Sequence, residues 1–377
     1  MNGRALNLLK SGLRNPFYAY HSFLGRLKET FNLDYRLLNG YSFLPDTVRI
    51  DLTYRCNLRC KICFEFGEDV QELAKEEEPQ KTEDLSFDTL IRFLEEISYF
   101  KPTLYLSGGE PLIYPRILEL LEFIKKKHFY CLININGVLL KEYAQALVDL
   151  SVDKLVVSID GPEEVHNLNR GKTFHKITEG ISYLTSQKQI RMTTFPLVRI
   201  NSLITPFNSE HLIDMVDIAE ELGAESLSFQ HPMFANEKMR KSYVQGKGKH
   251  DTSGIDILGY NYEGGINVPA IIEQARIIAS RKSKLKIYFY PHMKLEELHC
   301  YYDSLDYEFK KVCFTPWRKV MVTPTGDIGP CVHYPLGNIT RDRFKTLWNS
   351  PRYKTFRSTI KKSGLFSGCE RCCLREY

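Results

Sequence analysis

From residue 47 to residue 231 the chain alternates short apolar strands with amphipathic helices, and that alternation limits its fold more than any other feature. TVRIDLT, TLYLS, YCLINI, DKLVVSI, a run at 193–203 and ESLSFQ read as six strands. Between them, apolar residues recur at helical spacing, as at Phe87, Leu90, Ile91, Leu94 and Ile97. Strands separated by helices predict βαβ units and a parallel sheet. Six units fall short of a closed eightfold barrel, so the expected fold is α/β, a partial (β/α)6 TIM-like barrel. Ligands in such folds bind at the carboxyl ends of the strands. Here Cys56 follows the first strand, Gly108-Gly109-Glu110 the second, Asn136-Gly137 the third, Asp160-Gly161 the fourth and Gln230-His231 the sixth. Their convergence on one rim says more than any of them alone.

The cysteines sharpen this. Cys56, Cys60 and Cys63 lie within eight residues, and Cys313, Cys331, Cys369, Cys372 and Cys373 within the last 65. No apolar run approaches the ~20 residues of a membrane span, and no signal-peptide pattern opens the chain. The expected compartment is therefore cytoplasmic, where thiols stay reduced and clustered cysteines bind metal rather than one another. Cys131, within YCLINI, reads as a small core residue. Cys56-x3-Cys60-x2-Cys63 offers three thiolates with no histidine nearby. A structural zinc takes four protein ligands, whereas three cysteines on a [4Fe–4S] cluster leave one iron open. Spacing alone favours iron and leaves a zinc loop with a distant fourth ligand as the alternative.

The segment CNLRCKICF resembles the signature of the radical S-adenosylmethionine (radical SAM) superfamily. The resemblance extends over residues 47–231 through Ser107-Gly108-Gly109-Glu110-Pro111, Asn136-Gly137, Ser158-Ile159-Asp160-Gly161 and Arg170-Gly171, in that order. It implies that Cys56, Cys60 and Cys63 hold three irons of a [4Fe–4S] cluster, with S-adenosylmethionine (SAM) chelating the fourth. Gly108, Gly109 and Glu110 would then receive the methionyl amine, Arg170 the carboxylate, and Asn136 and Ser158 the ribose. Ile62 departs from the pattern, because relatives carry an aromatic residue there beside the adenine. The implied reaction is reductive cleavage of SAM to a 5′-deoxyadenosyl radical, which abstracts hydrogen from a substrate carbon.

Near the C-terminus, Cys313-x12-Gly326-x4-Cys331 encloses VMVTPTGDIGPC, which reads as a hairpin. Cys369-x2-Cys372 follows a helix-like stretch and completes four soft ligands, a set that would equally suit zinc. With LGNITRDRFKTLWNSPRYKTF, this resembles the SPASM/twitch extension of radical SAM enzymes, in the shorter form that holds one auxiliary [4Fe–4S] cluster. Electron transfer is its implied role, with Cys313, Cys331, Cys369 and Cys372 as ligands and Cys373 as an extra thiol. The expected C-terminal unit is a small α+β twitch-type cluster domain.

Four segments are expected: a basic helical extension at 1–46, the core at 47–231, a lid and connecting segment at 232–300, and the cluster domain at 301–377. Leu6, Leu9 and Leu13 fit a helix packed on the main domain, with contact to a membrane surface as the alternative. Residues 65–84 hold nine acidic residues against two lysines and read as a solvated loop. A basic run from Lys238 to Lys249 would steer an anionic substrate such as a sugar phosphate, nucleotide or lipid headgroup. The net charge of +5 is too mild to indicate nucleic acid. His231 is the candidate proton acceptor. A small-molecule, lipid or sugar substrate ranks above a peptide, and a flavodoxin- or ferredoxin-type protein is the expected electron donor. A peptide-modifying maturase and a non-catalytic zinc protein that binds a partner are the alternative functions.

Overall fold

A computed structural model describes residues 32–63, 82–235, 260–261, 264–304, 307, 309, 312–331, 334–365, 369 and 371–375. After a short helix α1 (Leu33–Leu37), the elements run β1 (Thr47–Asp51), α2 (Phe87–Ile97), β2 (Thr103–Ser107), α3 (Ile117–Lys126), β3 (Cys131–Ile135), α4 (Leu140–Asp149), β4 (Lys154–Ser158), α5 (Glu163–Arg170), α6 (Phe174–Ile190), β5 (Leu197–Leu203), α7 (Leu212–Glu221) and β6 (Ser226–Gln230). Strands β1 to β6 pair in sequence order, each parallel to the next. This is the partial barrel that the alternation predicts.

The sheet continues past residue 231. Two short strands, β7 (Phe234–Ala235) and β8 (Tyr260–Asn261), pair with each other, and α8 (Val268–Ser280) leads to β9 (Lys286–Tyr290). Strand β9 lies parallel to β6, inside the segment expected to be a connection. After α9 (Glu297–Tyr302) and α10 (Thr315–Arg318) comes β10 (Lys319–Val322), which pairs parallel to β1 at the opposite edge. The C-terminal unit therefore shares the barrel's sheet rather than standing apart from it. Strand β10 turns back into β11 (Asp327–Gly329), with Met321 opposite Gly329, which forms the expected hairpin. Strand β12 (Gly337–Asn338) and helices α11 (Phe344–Leu347) and α12 (Pro351–Ser363) complete the unit.

Alternation along each strand divides its side chains between two faces. Val48, Ile50, Leu104, Leu106, Ile133, Leu155, Val157, Ile200 and Leu227 lie under the helices and are inaccessible to solvent. Burying such residues at ~25 cal/mol per Å² is the main force that holds helices to sheet. The opposite residues, among them Arg49, Tyr105, Asn134, Arg199 and Asn201, face the concave side and remain half-buried. The described part of the N-terminal extension packs on the C-terminal unit. Tyr35 packs edge-on against Phe314 and Trp317, and Trp348 donates its indole N–H to the Phe43 carbonyl. Leu6, Leu9, Leu13, most of the acidic stretch and the basic run Lys238–Lys249 lie outside the described residues.

Candidate functional site

The loop after β1 carries Cys56, Cys60 and Cys63, and three neighbours fix its path. At its base, Arg55 makes a two-pronged ion pair with Asp84, with Nη2 2.6 Å from Oδ2. Beside it runs the Gly108-Gly109-Glu110 turn. The Gly109 N–H donates to the Thr53 carbonyl at 2.7 Å and the Glu110 N–H to the Arg55 carbonyl at 2.9 Å. A Cβ on Gly109 would lie 2.1 Å from the Arg55 oxygen, and one on Gly108 2.5 Å from the Thr53 oxygen. Gly108 also has a φ of +124°, which disfavours any side chain. These glycines let two backbones touch, so the turn holds the cysteine loop as well as offering a surface to a ligand.

The Glu110 carboxylate is buried and engaged with backbone. One oxygen accepts from the Leu112 N–H at 3.0 Å and the other from the Asn136 N–H at 2.7 Å, tying the ends of β2 and β3 together. Burial pushes its pKa up to about 7 despite those two hydrogen bonds. The Asn136 amide donates to Asn57 Oδ1 at 2.7 Å and lies 3.9 Å from the Cys56 sulfur. Ser158, buried at the end of β4, sits beside Asn201 in register.

Helix α5 closes the far side. It has no apolar stripe: EEVHNLNR buries His166 and Asn169 instead. Asn169 accepts the Lys61 N–H on its carbonyl and the Ile62 N–H on Oδ1, clamping the loop between Cys60 and Cys63. Arg170 pairs with Asp160, Nε to Oδ2, at 2.6 Å, and its Nη1 lies 3.9 Å from the Cys60 sulfur. Burial alone would raise the Asp160 pKa, but the adjoining guanidinium holds it below the usual carboxylate value. Asp160 also accepts from Asn169 Nδ2 and from the Leu203 N–H, so one carboxylate joins β4, β5 and α5. Asp160→Ala is expected to cost about 3–5 kcal/mol, because it leaves the buried Arg170 without its partner. Urea unfolding measures this, and a cost below 1 kcal/mol would mean that the pair is dispensable.

Cys56 and Cys60 interact electrostatically with each other, and Arg170 with Cys60 and Cys63. Burial raises the Cys56 and Cys60 thiols, while the Arg170 charge opposes this at Cys60. Among the described residues, no three His, Cys, Asp or Glu side chains are drawn together in the manner of a single-ion site. Three soft thiolates beside a fixed cation suit a partly ligated iron–sulfur cluster.

The second set gathers at the other edge. Cys372 interacts electrostatically with Cys373, Cys369 and Cys313. Cys331 packs on the Trp317–Phe356–Ile360 cluster and interacts with Tyr353. Three buried donors in this region, Trp317 Nε1, Tyr353 Oη and Arg357 Nη2, have no hydrogen-bond partner among the described residues. Donors left open around soft ligands suit a cluster whose sulfurs accept hydrogen bonds. Cys373 also reaches the barrel. Its thiol is hydrogen-bonded by Gln230 of β6 and feels Arg49 of β1. The tail thus brings Cys373 to residues of β1 and β6.

His231 lies elsewhere. It is 1% exposed, its Nδ1 is 2.6 Å from the Tyr302 hydroxyl, and Phe289, Tyr301 and Tyr302 surround it. Burial lowers its pKa to about 3, so it is neutral in the folded protein. This is the environment of a packed core histidine. Because its folded pKa lies below the unfolded value of about 6.5, the unfolded chain binds the extra proton. Its contribution is complete above pH ~6.5 and falls by ~1.4 kcal/mol per pH unit as pH drops toward 3. His231→Gln is expected to shed that part of the acid sensitivity, read as urea midpoints against pH. Identical slopes would show that His231 carries none of it.

The signals for Cys56 and Asn136 were on the strand ends and that for Arg170 in the short motif Arg170-Gly171, where motifs are legible. Asn57, Asp84 and Asn169 were missed, since each acts through a contact made far along the chain. The polar pattern of α5 concealed that helix altogether.

The Radical SAM superfamily model matches residues 50–222, and an iron–sulfur cluster-binding domain model, SPASM, matches residues 313–373. The tungsten-containing aldehyde ferredoxin oxidoreductase cofactor-modifying protein of Pyrococcus furiosus is 23% identical over 351 residues, covering 87% of each chain. The antilisterial bacteriocin subtilosin biosynthesis protein AlbA of Bacillus subtilis is 25% identical over 82% of this chain and 60% of its own. Streptococcus suis SuiB, solved with S-adenosylmethionine, superposes with a TM-score of 0.60 at 18% identity, covering 93% of this chain and 77% of its own. SuiB bound to its precursor peptide SuiA gives 0.61. At such identity the likeness to SuiB speaks for the fold alone.

Proposed function

This chain belongs to the radical SAM superfamily and carries a SPASM iron–sulfur domain, and from that premise we propose that it abstracts hydrogen from a substrate carbon and passes an electron to one auxiliary cluster. The family implies [4Fe–4S] clusters and SAM as its cofactors. When bound, they supply a one-electron cleavage of the sulfonium that yields a 5′-deoxyadenosyl radical.

The chain's own residues position and shield that chemistry. Cys56, Cys60 and Cys63 are the ligands at the first site. Arg170 is fixed by Asp160, with Nη1 3.9 Å from the Cys60 sulfur, and its charge would receive the carboxylate of bound SAM. Ser158 and Asn136 offer polar groups at adjoining strand ends for a ribose. Ile62 packs against the core beside the loop and gives the adenine an aliphatic rather than an aromatic surface. The carboxylate of Glu110 accepts two backbone N–H groups, so the amine of SAM would meet the Gly108–Gly109 backbone with that carboxylate behind it.

The observation that carries this reading is the convergence of the ends of β1, β3 and β4 with α5 on one loop of three thiols. Cys313, Cys331, Cys369 and Cys372 supply four ligands to the second site, which supports electron transfer rather than substrate binding there. The reach of Cys373 to Gln230 and Arg49 supports a short path from the barrel to that cluster. An oxidative outcome follows if the second electron leaves by this route. A ferredoxin- or flavodoxin-type protein is the proposed donor.

A peptide substrate is the second reading. The sequence ranks it below a small molecule, whereas AlbA, a bacteriocin biosynthesis protein, favours it. The Pyrococcus cofactor-modifying protein, matched over 87% of its length, favours the first reading. The test is anaerobic incubation of the reconstituted protein with SAM and dithionite. The expected product is 5′-deoxyadenosine, and its absence from a preparation with full iron content would overturn the radical reading. No helix among the described residues is long and apolar enough to cross a membrane.

A further inference from the structure

The concave face of the barrel is charged, and among the described residues the charges do not balance. Below the rim, Arg49 of β1 pairs with Asp51 at 2.9 Å. At the opposite end of the strands, Glu225 is shared by Lys154, at 3.0 Å, and Lys286, at 2.5 Å. Arg199 of β5 stands between these groups. Its Nε donates to the Ser226 hydroxyl at 3.2 Å and its guanidinium lies 5.6 Å from the Tyr288 ring centroid. Among the described residues it makes no ion pair.

The hydroxyl of Tyr105 lies within electrostatic reach of Arg49, Arg199, Asp51 and Lys319. Burial lowers the Lys154 pKa, and Arg199 is the next cause of that lowering. Among the described residues, four cations, Arg49, Lys154, Arg199 and Lys286, thus meet two carboxylates, Asp51 and Glu225, within one network. A surplus of positive charge in a half-buried space costs stability unless a ligand neutralises it. The space is also reachable. Arg199 is half-buried while its neighbours Val198 and Ile200 are fully buried under the helices. Arg199 sits four residues before Leu203, the last residue of β5, which is ~13 Å of strand below the rim. A substrate whose reacting carbon lies at the rim would place a second group there.

We infer that Arg199 is a specificity residue that receives an oxyanion, carboxylate or phosphate, on the substrate. This rests on the radical reading for the identity of the rim but not for the charge of the chamber. The guanidinium fork suits either oxyanion.

The test uses the reconstituted protein with SAM bound, and inorganic phosphate and glutarate as probes at constant ionic strength. Each probe is titrated while thermal stability is followed. Wild type is expected to show a saturable rise in Tm with at least one probe, and the stronger probe names the oxyanion. Arg199→Met is expected to bind that probe at least about tenfold more weakly. Its own Tm without probe should be no lower than wild type, whereas Arg49→Met, which strands Asp51, should fall. Arg191→Met, which removes an exposed arginine paired with Asp149, should respond as wild type does. A saturable response unchanged in Arg199→Met, or absent from wild type, would overturn the inference. Formation of 5′-deoxyadenosine in the same preparations separates the two ideas. Cleavage without an anion response sinks the chamber alone, and an anion response without cleavage sinks the radical reading alone.

Discussion

Cys60→Ala is expected to abolish 5′-deoxyadenosine formation and to lower iron from about eight to about four atoms per chain. Cys60 is the thiol closest to the fixed cation, with Arg170 Nη1 3.9 Å from its sulfur, and it lies between the two other thiols on one loop. A site with three protein thiolates has no spare ligand, so losing one leaves an iron with neither protein nor solvent-stable support. The folded chain should survive, because Cys60 is only partly buried and its loop is clamped through the backbone of Lys61 and Ile62. Cys331→Ala should retain at least part of the cleavage, since Cys331 packs with Trp317 and Phe356 at the other cysteine set. Iron and sulfide analysis beside the product assay separates the two sites. Undiminished product from Cys60→Ala would show that the first cluster is assigned to the wrong residues.

The second large effect is Gly109→Ala. A methyl group at this position has its Cβ 2.1 Å from the Arg55 carbonyl oxygen, which is backbone and cannot swing aside. Relief requires the two strand-end loops to part, breaking the hydrogen bonds from the Gly109 N–H to Thr53 and from the Glu110 N–H to Arg55. Overpacking of this kind costs about 1–3 kcal/mol. The functional cost is larger, because the displaced Arg55 immediately precedes Cys56. The expected protein is folded, keeps the second cluster, and has lost the first cluster's iron and all SAM cleavage. A Gly109→Ala protein with full iron and normal cleavage would show that the contact between the loops is not needed to form the site.

How much of this was legible in the sequence varies by residue. The six strands and the rim were readable because alternation and helical spacing are local properties. The hairpin at Gly326 was readable for the same reason. Helix α5 was not, because it buries His166 and Asn169 rather than an apolar stripe. His231 follows a strand, as a rim residue would, yet it packs under aromatic rings. One step along an extended chain changes the face on which a side chain lies, and nothing local to His231 marks which face it takes. The sheet also runs beyond residue 231. The strands at 286–290 and 319–322 join the barrel's two edges through backbone hydrogen bonds, which leave no mark on side-chain pattern.

By itself, then, the sequence determined the repeating strand–helix order, the three thiols after the first strand, and the polar groups at successive strand ends. Each depends on residues within a few positions of one another. Only the tertiary structure decided that Asp160 and Asn169 grip the cysteine loop, that the glycine turn presses on the backbone before Cys56, that Cys373 reaches Gln230 and Arg49, and that Arg199 makes no ion pair among the described residues. These depend on distance and burial between residues far apart in the chain, and both quantities come into being only when the sheet curls and brings its strands around a common space.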